Sequence, residues 1–246
     1  MTRQILILAH AGDQGAQLVA AHLAAQVGPE GVCVLRPETL GLARWSHRVD
    51  RDGRTHTRID LRSGVELASG SISAVLNRIR HLALPQFRNA SPKDRDYANM
   101  ELQAVVASWL TEFGDRAIHS VRHHSSLSPV IPRLRWASVA ARAGIPIARA
   151  SADGADAQSE GTVLIAGPHT GGAQADRFGA SCRVAADALG FTLLEFAFVR
   201  PDNASGDPAL ADVTPFPSLV DEWAALMTAR LLLSVSAPRS GTKPTA

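Results

Sequence analysis

The dipeptide Asn77-Arg78 closes an apolar run of strand length, Ser71 to Ile79 (SISAVLNRI). Ligands of open α/β sheets collect beyond the carboxyl ends of the strands, so Asn77 and Arg78 are the pair best placed to bind a substrate. Arg78 then acts as an anion-binding group, for instance for a peptide carboxylate; the competing reading is an arginine paired with an acid. Arg122-His123-His124, with His119 four positions before His123, has metal-ligand residue types. That spacing aligns two histidines only on a helix, whereas Ile118 to Val121 reads as strand and no acid lies close enough in sequence to add a third ligand. Ser125, Ser126 and Ser128 have histidines nearby, yet a nucleophilic triad needs convergence in space with an orienting acid. No catalytic residue is assigned.

Two glycine-bearing turns have the form of anion cradles. His10-Ala11-Gly12-Asp13-Gln14-Gly15 follows the first strand, where phosphate-binding loops occur, but Gly12 and Gly15 fit only part of the dinucleotide fingerprint. A plain turn with Asp13 at the helix start accounts for it better. Gly167 to Gly172 is read in the same way, as a tight connection. Cys33 and Cys182 each sit in an apolar segment and are expected to be buried thiols, not a disulfide or a metal site. Trp45, Trp109, Trp136 and Trp223 fall on different elements and suit a core or an interface better than a stacking platform.

Composition narrows the partners. The 246 residues are 46% hydrophobic and 20% charged, with a net charge of +2, in the range of a globular chain. The 25 cations and 23 acids are interspersed, without the like-charge run that marks a nucleic-acid footprint. No apolar stretch reaches the ~20 residues of a membrane span, and Met1-Thr2-Arg3-Gln4 leads straight into a strand; a cytoplasmic protein with neither nucleic-acid nor membrane partner is expected. Only two of the cations are lysines, Lys93 and Lys243.

The elements that position these residues read as α/β. Gln4 to His10 is a buried-strand run, Ala16 to Val27 a helix and Gly31 to Leu35 a second strand, a unit that implies a parallel pair. Trp45 to Leu61 alternates about Asp50-Arg51-Asp52-Gly53, a hairpin signal. Asp94 to Phe113 is helical, with Asp94 as its cap and Gly114 as its stop. Ala117 to Val121 is a short strand and Arg133 to Ala143 a helix ended by Gly144 and Pro146. Ser151 to Gly161 (SADGADAQSEG) has the small, polar composition of a linker. Strands at Thr162 to Ala166, Phe191 to Val199 and Leu210 to Val213, with helices at Asp176 to Leu189 and Val220 to Leu233, make a second part. Ser234 to Ala246 lacks apolar periodicity and is expected to be disordered.

The order of these motifs resembles the ATP-grasp superfamily, in its carboxylate-amine ligase branch. Ala74-Val75-Leu76-Asn77-Arg78 at a strand end, Asp96-Tyr97 with Glu101 and Trp109 on a helix, and a helix closing in Ala140-Ala141-Arg142-Ala143-Gly144-Ile145-Pro146-Ile147 look like its pre-grasp domain. Cys182 to Gly190 followed by a strand, then Ala211-Asp212-Val213-Thr214-Pro215-Phe216-Pro217 and a terminal helix, look like its C-terminal lobe. The resemblance implies a pre-ATP-grasp-like α/β domain over 1–150, with a largely parallel sheet flanked by helices. A linker over 151–161, a remnant C-terminal lobe over 162–233 and a tail over 234–246 complete the division.

The same resemblance marks what is missing. In the family, a nucleotide-binding lid subdomain follows the Gly-Ile-Pro motif and supplies lysines and a glycine-rich loop to the phosphates; here the eleven residues Ser151 to Gly161 take its place, too few for a strand-rich lid. The first metal-binding carboxylate of the family falls at Ala197, with Glu195 two residues earlier on the same strand face. The family's Glu-x-Asn aligns with Asp212-Val213-Thr214, so Asp212 remains as a vestigial magnesium ligand and Thr214 is a weak replacement. The expectation is a degenerate ATP-grasp-like protein without cofactor. It would act as a binding or scaffold subunit for a peptide or amino-acid ligase, as a homodimer or in complex with a full-length ATP-grasp ligase, since losing a subdomain uncovers surface. The alternative is a reduced ATP-dependent ligase using ATP and magnesium, with Asp212, Arg78, Arg177 and Arg183 taking over the lost contacts, arginine being able to grip phosphate bidentately.

Overall fold

The computed structural model describes residues 3–82, 84–119, 127, 129–148, 157–201 and 207–237. They fall into two compact units, one formed by residues 1–128 and 229–246 and the other by Pro129–Thr228.

The first unit is built on a four-stranded sheet, order β2-β1-β6-β7. Its strands are β1 (Gln4–Leu8), β2 (Val32–Leu35), β6 (Ile72–Asn77) and β7 (Ala117–Ile118), and every pairing is parallel. β6 is buried at all six positions, as a strand covered on both faces must be. Between β2 and β6 the chain makes the short helix α2 (Pro37–Leu42), absent from the sequence reading, and an antiparallel sheet of β3 (Arg44–Val49), β4 (Thr55–Asp60) and β5 (Glu66–Ala68). The expected hairpin is present, with a third strand added to it.

Helix α1 (Gln14–Val27) starts at Asp13, whose carboxylate accepts from the Ala16 N–H at 2.9 Å. Helix α3 (Pro92–Thr111) is capped by Ser91 and not by Asp94. Proline is suited to the first helical position, which moves the cap one residue before Pro92. Ser91 Oγ accepts from the Asp94 N–H at 3.2 Å and donates to the Asp94 carboxylate at 2.7 Å. Trp109 is the centre of the core: its ring meets Trp45 and Phe113 edge to face, both at 5.5 Å between centroids, among Leu6, Ile59, Val75 and Leu110.

The second unit carries an antiparallel sheet, order β11-β10-β8-β9, made by β8 (Ala157–Ala166), β9 (His169–Gly171), β10 (Leu193–Pro201) and β11 (Ala209–Thr214). Helices α4 (Arg133–Arg142) and α5 (Ala175–Leu189) share one core with it, in which Trp136, Cys182, Phe178 and Phe198 meet; the two phenylalanine rings stack at 4.6 Å. Strand β8 begins at Ala157, inside the polar stretch read as a linker. Residues 157–161 pair with Phe198–Pro201, and Arg200 grips Glu160 at 2.9 Å. A charged pair at the sheet's rim thus hides a strand in a sequence without apolar alternation. Helix α6 (Glu222–Ser236) extends past the expected end at Leu233; residues 238–246 of the tail, like 151–156 of the linker, lie outside the described residues.

Candidate functional site

Parallel strands deliver their ends to one edge, and the carboxyl edge of the first sheet brings Asn77, Arg78 and His119 together with Asp13, His10 and His81. Asn77, the last residue of β6, is 1% exposed. Its amide donates to the Leu127 carbonyl at 2.7 Å and its Oδ1 accepts from the Ile79 N–H at 3.2 Å. Its own carbonyl accepts from Nδ1 of His119 at 3.0 Å. His119, just past β7, is buried and holds φ at 64°, a left-handed conformation uncommon outside glycine.

Arg78 lies against Asp13. Nε donates to Oδ2 at 2.6 Å and Nη2 to Oδ1 at 3.3 Å, with the side chains 10% and 17% exposed. Asp13 therefore caps α1 and neutralises Arg78 together, joining the ends of β1 and β6. The geometry is the ion pair named above as the competing reading, so an anion reaching this edge must share Arg78 with Asp13. Beside them the rings of His10 and His81 lie 4.6 Å apart, tilted by 34°. Nε2 of His10 is buried without a hydrogen-bond partner among the described residues. His81 was missed in the sequence; its one signal was its place three residues after Arg78, in the loop leaving the same strand. The edge can recognise polar or acidic groups through imidazole and guanidinium contacts, and it presents no described nucleophile.

The second unit places the residues compared above with metal ligands. Residues directly opposite in antiparallel strands share a face. Glu195 lies opposite Thr214 and Asp212 opposite Ala197, so Glu195 and Asp212 are diagonal neighbours on one face. Asp212 is exposed and Glu195 half-buried. The Thr214 hydroxyl accepts from the Phe216 N–H at 3.1 Å, which ties it to the turn after β11. The two arginines offered as phosphate contacts are engaged: Arg177 pairs with Asp207 at 2.5 Å, and Arg183 donates to the carbonyls of Gly167 and His169 and to Thr170 Oγ1. The donor set can supply magnesium with one or two carboxylates.

The histidine run at 122–124 and Ser125, Ser126 and Ser128 lie outside the described residues. Among the described ones no three His, Cys, Asp or Glu side chains converge as a metal site would require, and no helix is long and apolar enough to cross a membrane. Both cysteines are free. Cys182 is fully buried and Cys33 partly so, and burial pushes both thiols up, that of Cys182 to about 12.

No protein-family model matches the chain, and no curated protein matches it in sequence. Solved structures do match in fold. The macrocyclase MdnB from Microcystis aeruginosa MRC superposes with a TM-score of 0.71 at 14% identity, over 93% of this chain and 98% of that one. The fold is that of the ATP-grasp ligases. MdnC from the same organism, solved with the precursor peptide MdnA bound, matches with a TM-score of 0.70 at 10% identity, over 94% of this chain and 100% of that one. The RiPP-associated ATP-grasp ligase of Chryseobacterium gregarium, in complex with ADP and a leader and core peptide, gives 0.65 at 12%, over 97% and 98%.

Proposed function

We propose that this protein is a degenerate ATP-grasp protein that binds a peptide in the service of a ligase, as a scaffold or recognition subunit without nucleotide chemistry of its own. One observation carries the reading. Between Ala148, which is hydrogen-bonded to Leu210, and the start of β8 at Ala157 the sequence has only eight residues, 149–156. Eight residues cannot make a strand-rich nucleotide lid. The lysines such a lid would bring are missing from the sequence, and Arg183 is turned to the carbonyls of Gly167 and His169 and to Thr170 rather than to a phosphate. The peptide side of the proposal is supported by the fold neighbours solved with leader, core or precursor peptides. The acceptor edge would be that of Asn77 and Arg78, with His10 and His81 beside them.

The partner would be a second copy of the chain or a complete ATP-grasp ligase, covering surface that a lid would otherwise occupy. Light scattering after size exclusion, together with a phosphate-release assay, tests this: a dimer, or a complex with a ligase, with no ATP turnover is expected. A monodisperse monomer that hydrolyses ATP and stops doing so in Asp212→Ala sinks the proposal.

A second reading, a reduced ligase, has one observation in its favour: Glu195 and Asp212, carboxylates of the kind magnesium takes, share a face of the second sheet as diagonal neighbours. It lacks a phosphate grip, which is why the scaffold reading is preferred.

A further inference from the structure

Positive charge also gathers at the opposite, amino-terminal edge of the first sheet. Arg3 precedes β1 and Arg116 precedes β7, and both line a cleft of about 330 Å³ with Asp115, Ser234 and Ser236. An adjoining cleft of about 320 Å³ shares Arg3 and Ser236 and runs over Ser73 and Gly31. Each is large enough for a small metabolite.

Arg116 is fixed in place: Nη1 donates to the Ile72 carbonyl at 2.6 Å, and the guanidinium carbon lies 5.4 Å from the centre of the Phe113 ring. Burial, and after it the positive charge of Arg3, holds its pKa below the usual arginine range. Two guanidiniums close enough to repel are unfavourable unless something negative sits between them. Asp115 supplies one negative charge, and the last turn of α6 a fraction of another; together they leave the lining net positive. The serine hydroxyls are committed to carbonyls, Ser73 to Gln4, Ser234 to Leu231 and Ser236 to Leu233. Recognition therefore falls to the two arginines, whose planar forks match the oxygens of phosphate and carboxylate.

We propose that this cleft binds a small oxyanion, a phosphate or a carboxylate, gripped between Arg3 and Arg116 at the far end of the sheet from Asn77 and Arg78. Calorimetric titration of the whole protein in low-salt buffer with inorganic phosphate, and separately with malonate, tests it. Saturable heat from at least one is expected. Phosphate alone assigns a phosphate ester, malonate alone a carboxylate, and both a general oxyanion site. Arg3→Gln, at an exposed position, should weaken the binding about tenfold, equivalent to about 1.4 kcal/mol. Arg116→Lys, which keeps the charge and loses the fork, should weaken it as well, while Arg62→Gln on an exposed loop should not. No saturable heat from either anion, or equal affinity in wild type and Arg3→Gln, overturns the proposal.

Discussion

Asp13 does two jobs with one carboxylate, capping α1 and holding Arg78, and the two can be separated by substitution. Asparagine caps as well as aspartate, so Asp13→Asn keeps the cap and removes the charge that faces the largely buried Arg78. A loss of about 2 kcal/mol is expected. Asp13→Ala loses the cap too, for roughly 1 kcal/mol more; urea denaturation of both should show that gap, and equal losses contradict the dual role. At Cys182 the linkage runs through pH. Its thiol rises from an ordinary 9.0 to about 12 in the folded protein, so the native state holds the proton that the unfolded chain releases. The stability this brings is complete below about pH 9 and is lost as pH climbs towards 12. Wild type should lose stability over that window more steeply than Cys182→Ala, and parallel curves would remove Cys182 as the cause. The sequence showed Asp13 at a helix start and Arg78 at a strand end. What joined them was the parallel register of β1 and β6, a contact 65 residues apart that no local pattern encodes. His81 stayed hidden for the same reason, because only the fold brings its ring to His10.

At the scale of elements, the sheet of β3, β4 and β5 is pinned to α3 by a chain of side chains. His47 meets Ser108 Oγ with Nε2 at 2.9 Å and Thr57 Oγ1 with Nδ1 at 2.7 Å, and the Thr57 hydroxyl donates to Glu112. Glu112 is only 7% exposed, so Thr57→Val strips a buried carboxylate of a donor. The expected cost is about 1–3 kcal/mol, read by chemical denaturation; an unchanged midpoint contradicts the pin. In the second unit, the Trp223 ring lies over Gly171, where an added Cβ would come within 2.2 Å of it. Gly171→Ala should cost about 1–3 kcal/mol through overpacking, and Trp223→Leu in the same chain should recover part of it; failure to recover any would place the strain elsewhere. The elements themselves were largely legible: β1, α1, β2, the hairpin, α3, α5 and β11 follow from apolar period and turn chemistry. Those not legible have physical causes. β8 starts in a polar stretch because pairing with β10 and the Glu160–Arg200 contact hold it there. α2 is too short for its period to register.

At the scale of the molecule, the ATP-grasp fold at 10–14% identity was visible in the order of motifs, since each motif alone is short and common. The fold carries no activity with it. Function rests on the phosphate grip, and here the sequence was informative through what it lacks: two lysines in the whole chain, and eight residues between Ala148 and β8. The structure adds that Arg183 is bonded to Gly167, His169 and Thr170, while Glu195 and Asp212 share a face. The decisive measurement is therefore a calorimetric titration of the full chain with ATP, with and without magnesium, beside the Asp212→Ala variant. The scaffold account predicts no magnesium-dependent saturable heat, and the same titration curve for wild type and Asp212→Ala. Saturable, magnesium-dependent binding that disappears in Asp212→Ala would contradict it and establish a working nucleotide site.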